Sequence, residues 1–174
     1  MDFLYFLPLE IKIKYLIGDV VAKHEFILVN KILNKVEIDD LINDFFNVHS
    51  LNLYNCVSIN DHIILYILDT LNFVKFKWPN GEVKNELAYY GYSMIEGDEI
   101  KRIREIFKGW KIIFNEGNSI ITLTGLYTFL GENTEGEYEK IKIEKRKIIK
   151  CFDDLINICD IAYKNSYSIL HLGV

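Results

Sequence analysis

The alternation of apolar and polar positions is clearest over residues 145–164. Ile148, Phe152, Leu155, Cys159 and Ala162 recur at steps of four and three, and Ile149, Ile156 and Tyr163 widen the stripe. Lys147, Lys150, Asp154, Asn157 and Lys164 fall on the opposite side. One apolar and one charged face at a period of about 3.6 predict an amphipathic helix. Ahead of it, Ile141 and Ile143 alternate with Lys140, Lys142 and Glu144, and residues 168–172 follow it, so the stretch 141–174 reads strand, helix, strand. Each large side chain in such a stripe contributes roughly 1.5–3 kcal/mol when buried. The helix therefore needs a partner surface, and a sheet is the expected one.

Upstream, residues 3–72 read as helical. Pro8 suits a first helical turn, with Ile11, Tyr15 and Leu16 behind it. A second helix is expected over 20–33, using Val21, Phe26, Ile27 and Val29. Ile38, Leu41, Ile42, Phe45 and Phe46 mark a third, opened by Asp39 and Asp40 near its positive end. Residues 47–58 read as connecting chain. Asn60 or Asp61 then caps a fourth helix carrying Ile63, Ile64, Ile67, Leu68 and Leu71.

The period changes to two at Val74, Phe76 and Trp78, which alternate with Lys75 and Lys77. Pro79-Asn80-Gly81 is a turn, and a second strand is expected over 87–95, with Gly91 marking a bulge or close contact. Ile100, Ile103, Phe107 and Trp110 share a helical face that Gly109 is expected to end. Two strands are expected at 111–114 and 119–124, and an extension of the sheet at 127–130. Residues 131–137 read as an exposed acidic loop.

Helices first and strands later is an α+β order. The expected fold is an N-terminal helical layer packed with a largely antiparallel sheet, covered by two amphipathic helices near 98–108 and 145–164. Residues 1–174 form a single domain, with a helical part over 1–72 and a sheet-containing part over 73–174 as the alternative division.

Composition narrows the function classes. The net charge of −5 disfavours a general nucleic-acid binder and docking on anionic lipid. No run of about eighteen uncharged apolar residues is present to span a membrane. The three cysteines form no disulfide framework and no zinc spacing, which suits a cytoplasmic protein with no metal and no cofactor. The glycines match neither phosphate-binding pattern.

The candidate chemistry is sparse. His62 beside Asp61 would be a general base oriented by a carboxylate, but neighbours on a helix do not face each other, and capping explains Asp61. His171, within Ile169-Leu170-His171-Leu172, reads as a satisfied core or edge histidine. The basic run Lys140, Lys142, Lys145, Arg146, Lys147 and Lys150 reads as a solvated face interleaved with Glu139 and Glu144. Better interface material is the group Tyr89, Tyr90 and Tyr92, together with Glu132, Glu135 and Glu137.

Leu7-Pro8-Leu9-Glu10-Ile11 with Val29-Asn30-Lys31 resembles the start and end of an F-box over residues 6–34. That resemblance implies an adaptor helix pair docking on a ubiquitin-ligase component, although Gly18-Asp19 departs from the family's apolar middle. In general character the chain is also similar to toxin-neutralising immunity proteins and other small inhibitors. The expectation is thus a non-enzymatic module binding another protein, with a basic surface on that partner. The alternatives are an enzyme with a noncontiguous site using His62 or His171, and the F-box-like adaptor.

Overall fold

The computed structural model describes residues 22–30, 35–47, 55–129 and 136–174. The strands are β1 (Lys23–Val29), β2 (Cys56–Asn60), β3 (Phe76–Lys77), β4 (Val83–Lys84), β5 (Tyr92–Ile95), β6 (Ile120–Phe129), β7 (Gly136–Glu144) and β8 (Ser168–Leu172). The helices are α1 (Lys35–Asn47), α2 (Asp61–Leu71), α3 (Asp98–Asn115) and α4 (Lys145–Asn165). The fold is α+β. A six-stranded antiparallel sheet has the order β2-β1-β8-β5-β3-β4, and β6 and β7 form a separate two-stranded ribbon.

Strand alternation assigns the two faces of the large sheet. Phe26, Val57, Ile59, Ile95 and Ile169 point to one side, where they meet Ile63, Ile64 and Ile67 of α2, Ile103 and Phe107 of α3, and Phe152 and Leu155 of α4. Ile27, Val29, Met94, Leu170 and Leu172 point to the other, against Ile38, Leu41, Ile42 and Phe45 of α1. The paired amphipathic helices expected over one face are therefore α3 and α4. Phe152 joins them to each other, with its ring 5.1 Å from Phe107 and 5.6 Å from Phe114. On the rim of the same contact, Lys111 reaches Asp153 at 2.5 Å and Arg104 pairs with Asp160.

Local chemistry sets the element ends. Asn60 caps α2 by accepting from the His62 backbone N–H at 2.9 Å. Gly97, at φ 58°, gives α3 no capping side chain, and Asp98 and Glu99 complement its positive end instead. At the end of α4, Ser166 takes the left-handed conformation (φ 56°) while Tyr167 N–H bonds back to the Ala162 carbonyl at 2.8 Å. Pro79-Asn80-Gly81 is a turn as expected: Gly81, at φ 83°, returns its N–H to the Trp78 carbonyl and links β3 to β4.

Several expected elements are corrected. Residues 20–33 are not a helix where described: 23–29 are β1, whose Phe26-Ile27-Leu28-Val29 run meets apolar side chains on both faces and so lacks the alternation of a one-sided strand. The connecting chain expected over 47–58 gives way to β2 at Cys56, because β1 offers it a pairing edge. Gly109 does not end α3. The helix runs on to Asn115 and absorbs the strand expected at 111–114, because Phe114 continues the buried stripe of Ile100, Ile103 and Phe107. The strand expected over 87–95 is reduced to 92–95, since Gly91 at φ 86° breaks the extended chain. Residues 120–129 form one strand with a register shift between Thr124 and Tyr127. Gly136 and Glu137 belong to β7 and not to a loop. The helix expected near Pro8, and residues 131–135, lie outside the described residues.

Candidate functional site

The strand order brings together polar groups that are far apart in sequence. Across β1, β8 and β5, Phe26, His171 and Ser93 lie in one row. His24 projects from the same face of β1, and Asp61 starts α2 directly after β2. Their polar atoms form a continuous line. Tyr89 donates its hydroxyl to Asp61 Oδ1 at 2.6 Å, and His24 Nε2 meets the same oxygen at 3.0 Å. His24 Nδ1 lies 2.9 Å from His171 Nε2, and Ser93 Oγ lies 3.4 Å from His171 Nδ1. The imidazole centroids are 5.1 Å apart and the ring planes differ by 16°. That spacing is close to the N···N distance plus a ring radius at each end, so the rings meet edge to edge in nearly one plane. Phe26 packs on His171 at 5.0 Å, and Tyr89 meets His24 edge-on at 5.2 Å.

His24, His171 and Ser93 have no exposed surface, while the Asp61 side chain keeps 13 %. Burial alone would raise the Asp61 carboxyl, but hydrogen bonds from His24 and Tyr89 bring it below its ordinary value. Burial pushes the Tyr89 phenol up, and the Asp61 hydrogen bond and charge add to that. Burial, and then the neighbouring His24, hold His171 well below 6.5. Serine, histidine and carboxylate in this order are the groups of a hydrolase. Here the serine is sealed. Hollows lie elsewhere, one of about 540 Å3 beside Phe73 and Arg102, and one of about 690 Å3 beside Tyr127 and Tyr138. The cysteines offer no better nucleophile: burial, then Asp160, pushes the Cys159 thiol up to about 12.

The expected interface residues separate. Tyr89 is tied into the polar line. Tyr90 is 65 % exposed and stands edge-on to Tyr89 at 4.9 Å. Past the positive-φ Gly91 the chain enters β5 with Tyr92. Tyr92 packs on the α1 side of the sheet, and its hydroxyl is buried without a hydrogen-bond partner among the described residues. Glu137 is exposed on β7, whereas Glu132 and Glu135 lie outside the described residues. The His62–Asp61 pair does not form, since Asp61 turns to His24. The helical part of the basic run is engaged locally: Lys145 bonds the Asn115 and Gly117 carbonyls at the end of α3, Arg146 and Lys147 pair with Glu144, and Lys150 pairs with Asp154, while Lys140 and Lys142 are exposed on β7. His24 and Ser93 were not singled out from the sequence. The short apolar run beginning at Phe26, with polar residues before it, was the available sign of a buried strand, and only pairing register places His24 beside His171.

The β6–β7 ribbon is the second candidate. Near its root, Ile121, Leu123, Ile141 and Ile143 pack on the main core. Beyond the register shift, Tyr127 and Tyr138 pair across the strands with rings 5.0 Å apart and 64° between planes, and both stay about half exposed. The Tyr127 hydroxyl accepts from Gly136 N–H at 3.2 Å. Glu139 lies over Gly125, where an added Cβ would sit 2.8 Å from its carboxylate. The outer half thus carries paired aromatics beside Glu137 and Glu139, while Lys140 and Lys142 stand nearer the root.

No protein-family model, curated protein or solved structure matches this chain. The F-box resemblance covers residues 6–34, most of which lie outside the described residues. It needs a helix at Val29, which instead ends β1 and is 5 % exposed in the α1-side core. Leu7 and Ile11 lie outside the described residues. Among the described residues no group of three or more His, Cys, Asp or Glu is placed to hold a metal ion, and no helix is long and apolar enough to cross a membrane.

Proposed function

We propose that the protein is a non-enzymatic binding module that engages a basic segment of another protein through the outer half of the β6–β7 arm. The observation that carries this reading is the exposed Tyr127–Tyr138 pair, flanked by Glu137 and Glu139 around an open hollow of about 690 Å3 that Lys140 also lines. A tyrosine face attracts a lysine or arginine side chain, and the glutamates add charge complementarity. In sequence, the connection between the strands adds Glu132 and Glu135, so the acidic groups outnumber the basic ones from 127 to 140. Paired aromatics also supply rigid contact area of the kind that dominates interface energies. An inhibitor of a basic protein, of the immunity type, would have this character. Tyr90, in the segment before β5, is a separate exposed aromatic and is not part of the arm.

The test is capture from native lysate with the full chain at low and raised salt, comparing wild type, the triple variant Glu132→Lys, Glu135→Lys, Glu137→Lys, and Tyr90→Ser. The expected result is one stoichiometric basic partner whose retention falls with salt, is lost in the triple variant and persists in Tyr90→Ser. Retention that the triple variant leaves unchanged would remove the arm from the site.

A further inference from the structure

When both histidines are neutral, the buried line admits one arrangement of protons. Asp61 accepts from His24 Nε2–H, so His24 Nδ1 is bare and accepts from His171 Nε2–H. His171 Nδ1 is then bare and accepts from Ser93 Oγ–H. Every ring nitrogen is committed. A single added proton can sit on His171 Nδ1 if Ser93 turns to accept it, and the proton between the rings then passes to His24 Nδ1, so the one charge rests on His24 beside the Asp61 carboxylate. A proton on each ring sets N–H against N–H across 2.9 Å, with two charges where no surface is exposed.

Asp61 compensates one charge, and nothing nearby compensates a second. Among the described residues, β1 contributes His24, β8 contributes His171, and β5 contributes only the Ser93 hydroxyl. The start of α2 brings Asp61, with His62 beside it. Residues 85–91 bring Tyr89, with Tyr90 on its ring. From α3, the Phe107 ring packs on Phe26. Asp61 is the one carboxylate in the line. It lies beyond His24, and one of its oxygens is already shared by His24 and Tyr89.

We propose that the His24–His171 pair is an acid-operated clasp between β1 and β8, closed while at least one ring is neutral and forced open when the two rings are both protonated. Because β8 joins β1 to β5, opening the clasp separates β2 and β1 from the rest of the large sheet.

The lowered pKa of His171 gives the pH window. A base held below its unfolded value binds fewer protons when folded, so its stabilisation is present above about 6.5 and is lost as the pH falls below that value. Asp61 is also lowered, and the stabilisation it adds is lost as the pH falls below 3.8 and through its folded value. The histidine loss comes first.

The deciding measurement is denaturant unfolding of the full chain between about pH 7.5 and about pH 5, together with histidine ring resonances by NMR. The folding constant should fall towards roughly tenfold per pH unit for each excluded proton, while at least one imidazole stays neutral in the folded protein. His171→Gln should reduce that slope and His62→Gln should leave it in place. A flat folding constant over this range, two clasp rings that both titrate with the fold intact, or a full slope in His171→Gln would each overturn the clasp. If His171→Gln does not fold, the two wild-type measurements decide the matter without it.

Discussion

β8 and β7 are both antiparallel strands built for opposite surroundings. In β8, Ser168 through Leu172 are all buried, because neighbouring strands take both edges and helices cover both faces. In β7, the residues from Glu137 to Lys140 are exposed, and among the described residues β6 is its one strand partner. A polar atom in β8 must find its partner inside the protein, and His171 finds two. A polar atom in β7 can use water, so its side chains are free to be chosen for recognition. The pairing chemistry is shared, and the number of covered faces decides what each strand can carry.

The largest expected effect is in the layer under β8. Phe152→Ala should cost about 3–5 kcal/mol in urea unfolding, because it empties the contact between α3 and α4. A loss no larger than that of a surface change would mean the sheet does not depend on this layer. Asp61→Ala should come next, at about 1–3 kcal/mol for the buried group it strands, since His24 Nε2 and the Tyr89 hydroxyl share that oxygen. Ser166→Gly should raise stability by up to about 1 kcal/mol by relieving a left-handed non-glycine residue. Tyr138→Ala should fall within about 0.5 kcal/mol of wild type and yet abolish partner capture. If it destabilised the fold as Asp61→Ala does, the arm would be structural and the contrast with β8 would fail.

Much of the C-terminal third was legible because α4 has a wide apolar stripe and β7 alternates cleanly near its root. β1 was not, because two-sided burial removes alternation and leaves a run that a helix could equally use. The end of α3 was misplaced by Gly109, which a helix tolerates at a cost of about 1 kcal/mol when the stripe continues beyond it. The polar line was invisible for a different reason: His24 and His171 are 147 positions apart, and only register across β1 and β8 makes them neighbours. The positive-φ Gly91 likewise leaves Tyr90 outside the strand that begins at Tyr92, and strand periodicity cannot foresee that. Glu137 is exposed as expected but lies in β7 and not in the loop, because pairing with Thr128 extends the strand past its polar, glycine-bounded surroundings.

The position of β8 also sets an order of events during synthesis. Of the described strands it is made last, yet it lies between β1 and β5. Until it emerges, β2 with β1 and β5 with β3 and β4 are two partial sheets, each with an edge waiting for it. Contacts spanning most of the chain close slowly, because long loops must be ordered before they are rewarded. The unfinished chain therefore leaves the β1 edge, with its Phe26–Val29 run, unpaired from the time β1 is made until β8 follows, and that interval is when aggregation competes with folding.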